Sequence, residues 1–268
     1  MAMFDLKMNT DYSHVNSDNF DVFLSPHVGR LTEIFNKYLD GLDFKTKVNL
    51  ADFGANDGKN IFPFLKIMIE LIRRRSASCE IYVTLNDQPT NDFTALVKNV
   101  EDFKKEIKDD FLAVHTIPGS AYQRCLPDET IDIGTCSLVL HWLSEYVVLE
   151  KALFYVPGMM EELRNTFVPI YNARTESEVK TAFVEFGKDN GVELLHFSQR
   201  IISMYENKDP VRSLKSWILP SLMTGLCQTR SNDEAADVCE LFFHDLRSRF
   251  SDMKWANCKF YEVIFKKL

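Results

Sequence analysis

The chain has 268 residues, of which 46% are hydrophobic and 26% are charged, a balance typical of a globular protein with a sizeable core. Its net charge of −8 argues against a nucleic-acid-binding protein, since phosphate binding needs clustered Lys and Arg. No apolar run reaches the roughly 20 residues that a membrane-spanning helix needs.

The N-terminus and the cysteines favour a cytoplasmic protein. Residues 1–16 contain acidic and polar side chains and no apolar core, so they do not have the pattern of a signal peptide. The six cysteines are scattered without a C-x-x-C pair, which predicts reduced thiols rather than a zinc site or a disulfide framework. The six histidines are equally dispersed, and we therefore expect no metal centre.

The first 26 residues have no clear periodicity but carry many apolar side chains. A floppy terminus is the simplest interpretation of such a segment. The apolar content is nevertheless too high for a solvated tail, and we expect residues 1–26 to fold over a ligand site. Residues 30–42 then show apolar side chains at helical spacing and end near Gly41.

A strand, a glycine-containing turn and a helix follow, and they form the centre of the predicted site. Residues 48–53 are an apolar run of strand length that includes Asp52, and residues 61–72 have helical spacing. Gly54 and Gly58 lie between them, and glycine lets the backbone approach a nucleotide closely. Asp52 can accept hydrogen bonds from a cationic or hydroxyl-bearing ligand. A structural turn without a ligand is the alternative, and the motif alone does not decide.

The second predicted strand, residues 80–85, also leads into an acid. Asp87 lies just beyond it, where a carboxylate could accept hydrogen bonds from both hydroxyls of a ribose. An Asn-Asp-x-Pro sequence is also common in ordinary turns. Two consecutive strand–helix units with this pattern favour a nucleoside ligand.

Two more strands are predicted in the N-terminal half, at residues 111–116 and 131–140. Residues 117–120 after the third strand form a predicted turn that could meet an adenine edge. The fourth strand would bring His141 and Trp142 to the carboxyl edge of the sheet, where open α/β sheets bind ligands. On the residues alone, a loop histidine and a core aromatic are the better interpretations of these two.

The C-terminal half continues the alternation of helices and strands. We predict one domain over residues 1–268, with a seven-stranded α/β sheet and a helical cap at about residues 203–250 before the last strand. The predicted helices lie at residues 144–164, 176–188, 209–225 and 233–250, and the predicted strands at residues 166–171, 192–202 and 258–266.

Four blocks of this sequence together resemble the SABATH methyltransferases, the salicylic acid, benzoic acid and theobromine synthase group. ADFGANDGKN (51–60) is similar to the family's A-D-L-G-C-S-S-G-x-N, and LNDQPTNDF (85–93) to its L-N-D-L-P-x-N-D-F. IPGSAYQRCLP (117–127) and SLVLHWLS (137–144) are similar to V-P-G-S-F-Y-x-R-L-F-P and S-Y-S-L-H-W-L-S. The blocks occur in the family's order and spacing. The resemblance implies a Rossmann-like class I methyltransferase sheet whose last strand is antiparallel.

The resemblance also implies a cofactor site for S-adenosylmethionine. Tyr12 and Ser17 would cover the cofactor, while Gly54 and Asn60 would lie beside its methionine end. Asp52 is a further candidate for cofactor binding, as an acceptor for a cationic or hydroxyl-bearing part of the ligand. Asp87 would hold the ribose hydroxyls. The implied neighbours of the adenosine are Gln88, Ser120 and Ala121.

The substrate side follows from the same resemblance, with two departures. Trp142 would donate its indole N–H to a substrate carboxylate, and His141 and the Trp217 region would complete the pocket. Phe20 and Leu138 stand where the carboxylate-methylating members have Gln and Tyr. The pocket is therefore more apolar, which favours a fatty or terpenoid acid over a salicylate-like one.

The predicted reaction is O-methylation of the carboxylate of a small, apolar organic acid. N-methylation of a small heterocycle and a catalytically silent binder of cofactor or ligand are the alternatives. Members of the family often form dimers, so a homodimer is an open alternative to a monomer.

Overall fold

The computed structural model describes residues 25–41, 46–121, 123–137, 139, 175–203, 210–249 and 257–267. Its contacts divide the chain into two compact units, Met1–Leu140 and His141–Leu268. The prediction of a single domain stays a prediction.

The first unit is an α/β fold with a parallel sheet of four strands. The strands lie in the order β3-β2-β1-β4, so all four carboxyl ends meet at one edge of the sheet. The elements are α1 (Ser25–Leu39), β1 (Lys47–Phe53), α2 (Phe62–Arg75), β2 (Glu80–Asp87), α3 (Phe93–Ile107), β3 (Leu112–Pro118) and β4 (Ile133–Thr135).

One face of this sheet carries the core of the first unit. Successive side chains of β2 point to opposite faces of the sheet. Ile81, Val83 and Leu85 are buried on one face, while Tyr82 and Thr84 on the other are half-buried. Val48 and Leu50 of β1 and the buried side chains of the three helices belong to the same apolar cluster. This packing holds the carboxyl edge of the sheet in a fixed geometry.

Local signals in the sequence set the helix ends. Pro63 lies in the first turn of α2, where its missing N–H costs nothing, and three arginines occupy the last turn. Asp92 caps α3 by accepting a hydrogen bond from Ala95 N–H at 3.0 Å. Both helices therefore begin directly after the loops that follow β1 and β2.

The second unit contains an antiparallel strand pair and a helix pair. In this unit α4 (Glu176–Lys180), a π-helical turn (Thr181–Glu185) and α5 (Phe186–Asp189) precede β5 (Val192–Ser203), which pairs with β6 (Asn257–Lys267). The helices α6 (Pro210–Leu226) and α7 (Asn232–Arg249) pack on each other. Ser231 and Glu234 form a capping box at the start of α7.

Most predicted elements are confirmed, with two corrections. The fourth strand was predicted over residues 131–140 but covers only Ile133–Thr135. The ladder with β1 ends at the pair Asp52 and Thr135, one residue before β1 ends at Phe53 and the backbone turns at Gly54. The turn predicted at residues 117–120 begins only at Gly119, because Ile117 and Pro118 pair with the end of β2.

Other predictions lie outside the described residues. These are residues 1–24 of the N-terminal segment predicted over residues 1–26, the helix at residues 144–164 and the strand at residues 166–171. Residues 25 and 26 belong instead to α1, which begins five residues before the predicted helix start at residue 30. The two helices predicted within the cap are confirmed as α6 and α7. The seven-stranded sheet stays a prediction, because the described part of the chain contains six strands in two sheets.

The two faces of β2 should respond differently to truncation. We expect Ile81→Ala to lower the free energy of unfolding by about 2–5 kcal/mol, because Ile81 is fully buried in the core cluster. Thr84→Ala on the half-buried face should cost about 1 kcal/mol or less. Urea denaturation of both variants measures the difference, and equal losses would contradict this assignment of the faces.

Candidate active site at the carboxyl edge of the sheet

The turn after β1 wraps back onto the end of β2. Gly54, Asn56 and Gly58 all have positive φ, at 84°, 50° and 84°. The N–H groups of Gly54 and Ala55 both donate to Asn86 O, at 2.8 and 3.0 Å. The left-handed conformations turn the backbone sharply, and the two hydrogen bonds fix it against the neighbouring strand.

Gly54 is required at this turn for space as well as for conformation. A Cβ on Gly54 would lie 2.1 Å from Val139 Cγ2, far inside van der Waals contact. Positive φ adds strain for any other residue. At Gly54 the turn therefore has room for backbone only, which is the geometry that the glycine pattern predicts.

The Asp87 carboxylate joins the two strand ends. Asn56 N–H donates to Asp87 Oδ2 at 2.5 Å, and Gln88 N–H donates to Oδ1 at 2.7 Å. Burial raises the pKa of Asp87, and these two backbone hydrogen bonds oppose that rise. A carboxylate has about four lone-pair positions, so Asp87 keeps the capacity to accept two more hydrogen bonds from a ligand.

Asp52 is the second acid at this edge, and it is only 4% exposed. Thr135 Oγ1, at the end of β4, donates to Asp52 Oδ1 at 2.5 Å. Burial raises the pKa of Asp52 to about 7, the Thr135 hydrogen bond lowers it, and the charge of Asp87 raises it. The charge of Asp87 at the end of β2 therefore makes ionisation of Asp52, near the end of the adjacent strand β1, less favourable.

Asn86 fixes the third strand to the same edge. Its buried Nδ2 donates to Ile117 O and to Gly119 O, both at 3.0 Å. Gly119 N–H in turn donates to Asp87 O at 2.8 Å. The loop that carries Ser120 and Ala121 thus starts from a defined position beside Asp87.

Two buried side-chain atoms at this edge make no hydrogen bond to the described residues. Within the part of the chain that the structure describes, Asn56 Nδ2 and Asn86 Oδ1 are buried and have no hydrogen-bond partner. One is a donor and the other an acceptor; Asn56 contacts Asp87 through its backbone N–H, and Asn86 precedes Asp87 in β2. A ligand with cationic, hydroxyl and amide-like groups fits this set of side chains.

The structure brings three of the predicted cofactor residues together, namely Asp52, Gly54 and Asp87. Gln88 follows Asp87 and is exposed, and Asn60 is half-buried in the last turn before α2. Tyr12, Ser17, Phe20, Leu138, His141 and Trp142 lie outside the described residues. Trp217 lies in α6, and its side chain is not described.

Sequence reasoning missed Thr135, Asn86 and the side chain of Asn56 as parts of this edge. Asn86 immediately precedes Asp87 at the polar end of β2, and that position was a usable signal for it, whereas Thr135 fell inside the predicted fourth strand and gave no such signal. Asn56 could have been noticed as a non-glycine residue that tolerates positive φ.

Neither a metal-binding cluster nor a membrane-spanning helix occurs among the described residues. They contain no group of three or more His, Cys, Asp or Glu side chains that could hold a metal ion. Among them, no helix has the length and apolar character needed to cross a membrane.

The buried charge of Asp52 should appear in the stability of the ligand-free protein. Because its pKa is higher in the folded than in the unfolded chain, the folded state binds more protons, and Asp52 should lower stability as pH rises from about 4 to about 7. Asp52→Asn should remove this dependence and raise the free energy of unfolding above pH 7 by roughly 2–4 kcal/mol. Urea denaturation at several pH values measures it.

The matched control is Asp102→Asn, the same change at an exposed position on α3. This variant should leave the free energy of unfolding nearly unchanged over the same pH range, because an exposed carboxylate is screened by water. If Asp52→Asn destabilises the protein at pH 8, the carboxylate is not the strained buried charge described above.

The chain is similar in sequence to a family model and to individual known proteins. A family model described as SAM dependent carboxyl methyltransferase matches residues 17–195, about two thirds of the chain. A salicylate/benzoate carboxyl methyltransferase of Arabidopsis thaliana is 30% identical over 173 residues, which are 60% of this chain and 42% of that relative. A farnesoic acid carboxyl-O-methyltransferase of the same plant is 28% identical over 123 residues, 43% of this chain and 33% of that relative. The chain spans about a third of the length of the curated relatives it matches.

A solved structure gives a likeness in fold. The structure of a loganic acid methyltransferase with SAH matches with a TM-score of 0.72 and covers 96% of both chains. The sequence identity is 15%, so this similarity shows a shared fold.

Proposed function

Because this chain belongs to the family of SAM dependent carboxyl methyltransferases, we propose that it transfers a methyl group from S-adenosylmethionine to the carboxylate of a small organic acid. The observation that carries the proposal is the carboxyl edge of the sheet. There a positive-φ glycine turn, the half-buried Asp87 and the buried Asp52 lie together beside unpartnered polar atoms.

The cofactor contacts in this proposal follow from the donor and acceptor capacity of each group. Asp87 would hold the ribose hydroxyls with the lone pairs that Asn56 and Gln88 leave over. Asp52 and Asn60 would lie at the methionine end, where a carboxylate suits a cationic group. The remaining proposed cofactor residues are Gln88, Ser120 and Ala121 around the adenosine and Tyr12 and Ser17 over it.

Methyl transfer to a carboxylate requires little of the protein beyond positioning the two reactants. When bound, S-adenosylmethionine supplies an already activated methyl group. A substrate carboxylate is ionised near neutral pH and needs no general base. The residues of the chain therefore act by aligning the substrate oxygen and by excluding water.

The proposed substrate is an apolar acid. Trp142 would donate its indole N–H to the substrate carboxylate, with His141 and Trp217 lining the same pocket. Phe20 and Leu138 supply apolar side chains in place of the polar ones in the salicylate-type pocket. The match to the relative named for farnesoic acid supports an acid of this kind.

The finer architecture belongs to the same proposal. The sheet would contain seven strands with the last antiparallel, residues 1–26 would close the site, and residues 203–250 would form its helical cap. Location in the cytoplasm and assembly as a homodimer remain predictions.

Label transfer tests the reaction. Purified protein incubated with methyl-labelled S-adenosylmethionine and a panel of fatty, terpenoid and aromatic acids should yield a base-labile labelled methyl ester, most readily with the apolar acids. Base-stable label on a heterocycle would favour N-methylation instead. Cofactor binding without any labelled product from the panel would favour the silent binder.

Two substitutions should separate cofactor binding from substrate positioning. We expect Asp87→Ala to weaken S-adenosylmethionine binding about 10- to 100-fold, because it removes charged acceptors for two hydroxyls. Trp142→Ala should lower turnover while leaving cofactor affinity within about threefold of the wild-type value. Titration calorimetry and steady-state kinetics measure the two effects.

Asp102→Ala on α3 is the matched control for Asp87→Ala, since it removes an exposed carboxylate far along the chain from the turn. Thermal melts verify that Asp87→Ala still folds despite the loss of its contact with Asn56. Equal losses of cofactor affinity in Asp87→Ala and Trp142→Ala would contradict these assignments.

A further inference from the structure

Thr135 is the last residue of β4 and lies opposite Asp52 in the β1–β4 ladder. Its hydroxyl proton has two acceptors in reach, Asp52 Oδ1 at 2.5 Å and Ala51 O at 3.2 Å. The shorter contact is to the carboxylate, and a hydrogen bond to a charged acceptor is the stronger one. The short strand β4 therefore ends by placing one hydroxyl on one buried acid.

In the part of the chain that the structure describes, no cation competes for Asp52. Among the described residues, no Lys, Arg or His forms an ion pair with Asp52, and Thr135 is its side-chain hydrogen-bond donor. Asp87 faces it from the end of β2 with a like charge. The Cys136 thiol after β4 is neutral, because desolvation and the Asp52 charge raise its pKa to about 11.

We propose that Thr135 is a positioning residue that favours the ionised form of Asp52 and aims it at the cationic methionine part of the cofactor, so that cofactor affinity near neutral pH depends on this one hydroxyl. The inference rests on the proposed function and goes beyond it by assigning a role to Thr135. It follows from the register that pairs the two residues, from the burial of the acid and from the lack of another charge partner in the described part of the chain.

The proposal makes affinity dependent on pH with a defined sign. Asp52 has a pKa of about 7, so it gains its negative charge as pH rises through neutrality. Only the ionised form attracts a cationic ligand group. Loss of the Thr135 hydroxyl raises the pKa further, because the hydrogen bond stabilises the charged form. The gain in affinity should then require a higher pH.

The test compares cofactor affinity in the wild type, Thr135→Val, Thr135→Ser and Asp52→Asn by titration calorimetry from pH 6 to pH 9. The amino group of S-adenosylmethionine can itself titrate in this range, so each affinity is divided by that of Asp52→Asn at the same pH. The divided value isolates the contribution of the Asp52 charge. Adenosine, which lacks the methionine part, is the control ligand and should show no such contribution.

We expect the divided affinity of the wild type to rise through about pH 7 and to level off above it. In Thr135→Val the rise should occur about one pH unit higher, which lowers the divided affinity about fivefold at pH 7 and leaves it unchanged at pH 9. Thr135→Ser keeps the hydroxyl and should follow the wild type. A loss that is equal at every pH shows a structural defect and overturns the proposal.

The outcomes also separate this inference from the proposed function. Binding of S-adenosylmethionine with the same pH dependence in the wild type and Thr135→Val overturns the role of Thr135 and leaves the methyltransferase assignment intact. No binding of S-adenosylmethionine by the wild type at any pH overturns both. Thermal melts of each variant verify that all four proteins are folded at the pH values used.

Discussion

The site depends on the hydrogen bond between Asn56 N–H and the Asp87 carboxylate, at 2.5 Å. This contact and the two that Asn86 O accepts from the turn tie β1 to β2 at the point where both strands end. Three of the five residues in this turn have positive φ, and local conformational preferences alone do not hold such a backbone in one conformation. The hydrogen bonds to the end of β2 hold the turn in place, so its shape is set by contacts with residues about 30 positions away.

Two acids at one apolar-backed edge are costly for the folded chain. Burial and mutual repulsion both disfavour the charge on Asp52, and burial disfavours it on Asp87. The large cluster formed by β1, β2 and the three helices offsets this cost by burying apolar surface. A ligand that brings positive charge and hydroxyl donors to the edge relieves the strain, and anything that binds only the folded state also stabilises it.

Much of the fold was predictable because its signals are local. β1, β2 and β3 are apolar runs of strand length, and α2 and α3 carry their own start and stop residues. Gly54 and Asp87 could be placed at one edge of the sheet, and so predicted as candidate site residues, because strand–turn–helix units bring such residues together there. The four-stranded parallel order, with β1 between β2 and β4, agrees with the expected class of sheet.

What escaped prediction is set by pairing between distant segments. The end of β4 at Thr135 depends on where β1 turns away, and the extension of β3 to Pro118 depends on the length of β2. The raised pKa of Asp52 depends on burial and on the position of Asp87, neither of which appears in the residues next to Asp52. The periodicity of the sequence indicates which residues form a strand, but it does not indicate where pairing with a neighbouring strand ends.

The choice of a hydroxyl as the partner of Asp52 has a physical logic. A Lys or Arg in the place of Thr135 would hold Asp52 ionised more firmly, but it would also neutralise the charge and occupy the space of a ligand cation. An apolar side chain would leave the buried acid protonated at neutral pH. A threonine hydroxyl is neutral, so it stabilises the carboxylate with one hydrogen bond at 2.5 Å and leaves its negative charge available to a ligand.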